Sequence, residues 1–308
     1  MLIRIIITFA ILTGLYGCDG DKPLSLKRSY NGYTLEIQMI QGSLERGECT
    51  RLMKAGADAF SARLDLALGK DSLIEKLNRE RGPKEVSPEI RGFLTRVKDL
   101  KAEIKNVQAQ LLDIRQRLPG TDSSEVKSSP VKEVSASEVR IVLDGDSVTL
   151  DGEGYLELGS AVVGWAVDGA AQAMLDGGVE AAFITTGDVT RLWGQPDPER
   201  KWDLTVKASP DDSTEYRISP DAGGLYRIDD GKNESDTGRN LIKLIVWAPD
   251  AMCACMFGET LYTMGRGELL RCVQMMESIG VFFIRMEGSE MIAESDFRMS
   301  SWVSMRMP

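Results

Sequence analysis

GYLELGSAVVGWAVDGAAQAMLDGGVEAAFITTGD, residues 154–188, is the stretch on which the fold turns. It reads as a short strand at 155–158, a break at Gly159-Ser160, an apolar helix, a stop at Gly177-Gly178, a second apolar strand and a Thr186-Gly187-Asp188 turn. A helix entered through Gly-Ser begins with N–H groups that have no intrahelical partner and point at whatever lies above the turn, which suits an anion. Small residues at Gly164, Ala166, Gly169, Ala170 and Ala171 let a second backbone or a flat ligand come close. The same pattern also serves a helix packed on a sheet, and the residues alone leave both readings open.

Outward from this stretch, the ends and the composition set limits. The 308-residue chain is 43% hydrophobic, enough for one large domain or two smaller ones with a real core. Its first residues, MLIRIIITFAILTGLYGC, carry one positive charge at Arg4 and an apolar run over 5–15, a pattern of export signals and too short for a bilayer span. Leu15-Tyr16-Gly17-Cys18 resembles a bacterial lipobox, so residues 1–18 are expected to be a lipoprotein signal with lipid on Cys18; an ordinary cleaved signal is the alternative. Asp19 resembles the residue that retains some lipoproteins in the inner membrane, which makes the periplasmic face of that membrane the expected location.

A formal net charge of -10 argues against a protein that tracks nucleic-acid backbones. With no histidine in the chain, neither a Ser-His-Asp nor a Cys-His site is possible, and proton transfer falls to carboxylates, lysine, tyrosine or metal-bound water. Cys253 and Cys255 sit in an apolar stretch without a second pair at metal-site spacing, and read as buried thiols.

Residues 19–30 read as a tether, followed by a strand at 33–40. Ser43 is a candidate cap for a helix whose apolar positions run from Cys49 to Ala67 and stop at Gly69. Ser87 and Pro88 announce a long helix with apolar residues alternating at three and four from Ile90 to Leu118, suited to packing on a helix or a sheet. Residues 119–137 are rich in Ser, Lys, Glu and Pro and read as a loop or linker. It separates an N-terminal part, 31–118, from a C-terminal part, 138–308. The latter opens with strands at 139–143 and 147–150. Beyond 188 come a strand at 202–206, a turn-rich polar segment over 211–238, a buried strand at 241–248, helices over 250–263 and 267–279, and a last core strand at 281–285. Strands and helices mix without strict alternation, so the fold class is α+β, with mixed or antiparallel sheets and packed helices.

In this order the elements resemble the FAD:protein FMN transferase family, the exported flavin transferases often called ApbE proteins. Residues 156–168, LELGSAVVGWAVD, are similar to that family's LDLGAIAKGYAVD, with both glycines and the final aspartate in register. Thr186-Gly187-Asp188 stands at its Gly-Gly-Asp, residues 72–78 resemble its D-S-x-I-x-x-L-N, and 246–265 resemble its closing strand and helix. The resemblance implies that FAD and a divalent cation, usually magnesium, are bound, and that FMN passes to a Thr or Ser of a partner flavoprotein, such as a subunit of a membrane redox complex. It assigns FAD to Gly159, Ser160, Ala161, Asp168, Gly187 and Asp188. The cation would fall to the Ala161 carbonyl and to the helix around Cys255 and Glu259.

The departures from the pattern lie at polar positions. Cys255 stands in the aspartate's place and Glu259 in that of the Thr or Ser, while the lysine of A-I-A-K-G is Val163. Lys105 occupies an aspartate position, and the family's histidine motif has at most Thr237-Gly238 left. A neutral thiol is a poor magnesium ligand. Two functions are therefore expected to compete: a lipid-anchored FMN transferase, or a flavin-binding or assembly lipoprotein on the same fold that has lost the chemistry.

Overall fold

The Asn31-Gly32 dipeptide takes positive φ at both residues, 46° and 88°, as a two-residue hairpin turn requires. It joins strand β1 (Leu24–Tyr30) to β2 (Tyr33–Met39). The computed structural model describes residues 23–68, 72–117, 139–197, 199–207, 214–229 and 241–306. The lipobox with Cys18, the 119–137 segment and Thr237-Gly238 lie outside these.

The hairpin forms one end of an eight-stranded antiparallel sheet that continues through β6 (Ala182–Thr185), β7 (Val189–Trp193), β10 (Gly223–Asp229), β11 (Leu241–Ala248), β12 (Gly280–Glu287) and β13 (Glu290–Ser295). One face carries helices α1 (Arg46–Leu68), α4 (Gly159–Asp176), α5 (Ala251–Tyr262) and α6 (Arg266–Gln274), with α3 (Pro88–Arg117) packed outside α5 and α6. The other face carries a small sheet of β8 (Leu204–Lys207), β9 (Glu215–Ile218) and β14 (Val303–Arg306). Consecutive residues of the central strands therefore enter different cores: Val246 and Phe283 the helical one, Ile245 and Phe282 the one beneath the small sheet. Side chains alternate faces along a strand, so a strand covered on both sides must be apolar throughout. Each fully buried phenylalanine contributes about 1.5–3 kcal/mol.

A third sheet, β3 (Lys84–Glu85), β5 (Ser147–Asp151) and β4 (Arg140–Asp144), packs beside α2 (Leu73–Arg79) and α3. Ser72 caps α2 by accepting the Glu75 N–H at 3.2 Å, and Ser87 Oγ accepts the Ile90 N–H at 3.3 Å at the start of α3. The apolar seam of α3 is used, with Ile90, Leu94, Val97, Leu100, Val107 and Leu111 all buried.

The α+β class holds, and several boundaries move. Of the segment 19–30 read as a tether, residues 24–30 are β1, paired along its length with β2. Residues 155–158 are not a strand; they form an irregular lead into α4, with Leu158 already in the helical region of backbone angles. The expected strand at 202–206 is β8, shifted to Leu204–Lys207, and the polar segment 211–238 contains β9 and β10. Two further strands, β13 and β14, follow the one expected to close the core. α1 begins at Arg46, past Ser43. No helix among the described residues is long and apolar enough to cross a membrane.

Candidate functional site

The site begins where the chain enters α4. Gly159 has φ +46° and is exposed, and the turn closes with the Ala161 N–H donating to the Leu158 carbonyl at 2.9 Å. α4 and α5 then meet backbone to backbone. A Cβ on Gly164 would lie 2.6 Å from Met252 Cα and 2.8 Å from the Ala251 carbonyl oxygen, closer than any side chain allows. That contact fixes the register of the two helices and brings Ser160, one turn up α4, over the middle of α5.

Here four polar side chains converge. Ser160 Oγ donates to Glu259 Oε1 at 2.9 Å, and the Tyr226 hydroxyl donates to the same oxygen at 2.7 Å. The Tyr226 ring lies over Gly258, where a Cβ would stand 2.4 Å from Cδ1. Burial, then the bond to Glu259, raises the Tyr226 phenol above its ordinary range, so it remains a donor. Beneath them Cys255 is fully buried, and burial holds its thiol well above its usual pKa despite a hydrogen bond with Ser160. Cys49, Cys253 and Cys272 are likewise free and buried, and burial pushes the Cys253 and Cys272 thiols up to about 12, as expected of structural cysteines.

Three further expected site residues lie along α4 and at the β6–β7 tip. Asp168, two turns along α4, accepts the Ala251 and Met252 N–H groups, both at 2.9 Å, and faces Arg191 at 3.8 Å. Both carboxylate oxygens are thus committed to the start of α5. Burial, then the neighbouring Asp250, pushes its carboxyl up to about 6, against the hydrogen bonds and Arg191. Asp250 is the N-cap of α5, accepting the Cys253 N–H at 2.7 Å, and pairs with Arg96 of α3 at 3.3 Å. Gly187, with φ +95°, and Asp188 form the tip between β6 and β7. The Asp188 side chain is exposed and pairs with Arg227 at 2.9 Å. Arg227 follows Tyr226 on β10 and points to the opposite face of the sheet. The structure therefore gathers Ser160, Cys255 and Glu259 beside Ala161; Asp168, bound to the start of α5, interacts electrostatically with the buried Cys255, and Asp188 pairs with Arg227 at the β6–β7 tip.

The divalent cation implied by the family resemblance does not fit these residues. Magnesium requires near-octahedral oxygen ligands. Cys255 presents a neutral buried thiol, and one Glu259 oxygen is already occupied by two hydroxyl donors. Among the described residues no three Asp, Glu, Cys or His side chains are placed to hold a metal ion. Val163, at the position of the family lysine, is buried in the helical core.

Tyr226 does not stand out in the sequence because it falls in the turn-rich segment; its signal there is the alternation in GGLYRID, residues 223–229.

The family model described as "ApbE family" matches residues 32–223. No curated protein matches the chain. Among solved structures, the chain is similar to the flavinyl transferase ApbE of Pseudomonas stutzeri in its apo form, with TM-score 0.70 and 16% identity over 93% of this chain and 98% of that one. It is also similar to the flavin transferase ApbE of Vibrio cholerae, with TM-score 0.67 and 16% identity over 91% and 99%. The ApbE protein of Thermotoga maritima gives TM-score 0.64 and 17% identity over 91% and 99%. At these identities the likeness is one of fold.

Proposed function

The chain belongs to the ApbE family, and from that premise we propose that it is a flavin-handling lipoprotein which binds FAD at the N-terminus of α4 without the cation-dependent cleavage of FAD. One observation carries this reading: the Glu259 oxygen that would face a cation is taken by the Ser160 and Tyr226 hydroxyls above a protonated Cys255. The entry to α4 remains open, with Gly159 exposed and Ser160 half-exposed, so a pyrophosphate can approach the first N–H groups of the helix. Lipid on Cys18 would hold the domain at the periplasmic face of the inner membrane. There it would serve maturation or assembly of a flavoprotein subunit of a membrane redox complex.

The second reading is transfer of FMN from FAD to a Thr or Ser of that partner. It is favoured by the Ser160–Glu259 contact itself, which puts an exposed carboxylate beside the helix terminus where the pyrophosphate would lie. Titration of the purified chain with FAD, followed by assay for released AMP with and without magnesium in the presence of a flavoprotein that offers an accessible Thr, separates the two. Saturable binding without AMP is the expected result. Magnesium-dependent AMP release supports transfer instead, and absence of binding removes both.

A further inference from the structure

Among the described residues the segment that leads into α4 has no strand partner, yet it is held. The Leu156 N–H donates to Asn78 Oδ1 at 2.7 Å, and the Asn78 Nδ2 donates to the Leu156 carbonyl at 3.1 Å. The Asn78 carboxamide thus does what a neighbouring strand would do, matching one donor and one acceptor of a single residue. Aspartate has no donor for the carbonyl, and glutamine carries its amide one methylene too far. Asn78 is itself fixed, since α2 is capped by Ser72 and buries Ile74 and Leu77. Just past α2, the Arg81 guanidinium reaches the carbonyls of Gly152, at 3.4 Å, and Gly154. Leu156, 3% exposed, is then three residues from Gly159, too short a span for the turn to move independently.

We infer that Asn78 is a positioning residue: through Leu156 it fixes the Gly159-Ser160 turn and so sets the affinity of the site for FAD. The ligand rests on the flavin-binding reading above; the positioning rests on the hydrogen-bond geometry alone. Asn78 does not reach the turn itself and acts on it through the backbone.

The test compares full-length wild type, Asn78→Ala and Asn78→Asp in detergent. Two properties are measured, FAD affinity by fluorescence titration and amide exchange over residues 154–162. Ile284→Ala, in the core beneath the small sheet, serves as a control that loses stability far from the site. Asn78→Ala is expected to weaken FAD binding about tenfold, the effect of losing roughly one net pair of hydrogen bonds, with faster exchange confined to the turn. Asn78→Asp keeps the acceptor and is expected to fall between; it carries the test if the alanine variant does not fold. Ile284→Ala should lose thermal stability at unchanged FAD affinity. Unchanged exchange at the turn in both Asn78 variants overturns the inference whatever FAD does, as does faster exchange with wild-type FAD affinity. A wild-type chain that fails to bind FAD overturns the functional reading instead, and is recognised by that arm alone.

Discussion

Ser160 Oγ donates a hydrogen bond to Glu259 Oε1 across 2.9 Å, joining residues 99 apart in the chain where the start of α4 faces α5. The bond is possible because α4 and α5 touch at Gly164, and its acceptor is shared with Tyr226. A carboxylate satisfied by two hydroxyls makes a neutral-donor network where a cation would need open oxygens. The chemistry of the site is therefore set by which side chains replace one another on a single face of α5.

The pair Cys255→Asp with Glu259→Thr tests that statement. It exchanges a protonated thiol for a hard oxygen donor and removes the carboxylate that Ser160 and Tyr226 occupy. The variant is expected to bind Mn2+ measurably, read by water-proton relaxation, where the wild type does not. If cleavage also returns, AMP release from FAD becomes magnesium-dependent. No gain in Mn2+ binding would mean that the arrangement of α4 and α5, and not the identity of these two side chains, keeps the cation out.

Tyr226→Phe isolates the second donor. The ring keeps its place over Gly258 while Glu259 loses one partner at 2.7 Å. A stability loss of ~1 kcal/mol is expected, since a hydrogen bond to a charged group is removed and water can reach the exposed carboxylate. Urea denaturation measures it. A loss above 3 kcal/mol would show that the hydroxyl supports more than Glu259.

Gly164→Ala should be the most damaging one-carbon change in the site. The new Cβ meets backbone atoms of Met252 and Ala251, which cannot rotate away, so α4 and α5 must separate. Overpacking of this kind destabilises by about 1–3 kcal/mol, and occasionally more. The separation also lengthens the Ser160–Glu259 contact, so FAD affinity is expected to fall together with stability. A fully stable variant would mean the helices have room that their contact denies.

Much of this architecture is written locally, and the site only in part. β11 and β12 are readable because over 244–248 and 281–284 both their faces are covered, which forces an unbroken apolar run there. α4 and its glycines are readable because close helix packing demands small residues. β10 is not, because its glycines answer to distant neighbours: a Cβ on Gly224 would strike the Asp250–Ala251 backbone, and one on Gly223 the Trp247 indole. In sequence those two glycines look like a turn, and they hide Tyr226. The juxtaposition of Cys255 and Glu259 with Ser160 followed from the family resemblance, and the geometry brings those residues together. Asp168 accepts the N–H groups of two α5 residues, partners that no local pattern announces.

Asp168 also gives the chain a pH dependence of definite sign. Its folded-state pKa of about 6 lies above the ordinary 3.8, with burial as the leading cause and the facing Asp250 next; Arg191 and two backbone N–H groups oppose the shift without cancelling it. The folded chain therefore binds more protons than the unfolded chain between these two values. The stabilisation linked to Asp168 is complete below pH 3.8 and is lost as the pH rises through about 6. At full value the shift corresponds to at most ~3 kcal/mol, and the remaining exposure of the side chain reduces this. Asp168→Asn keeps the shape and one acceptor but cannot titrate. Denaturation of both proteins between pH 4 and 7 is expected to show the stability of the wild type falling relative to the variant as the pH rises. Parallel profiles would mean that the Ala251 and Met252 N–H groups, with Arg191, offset the burial of the carboxylate in full, and that Asp168 is ionised throughout.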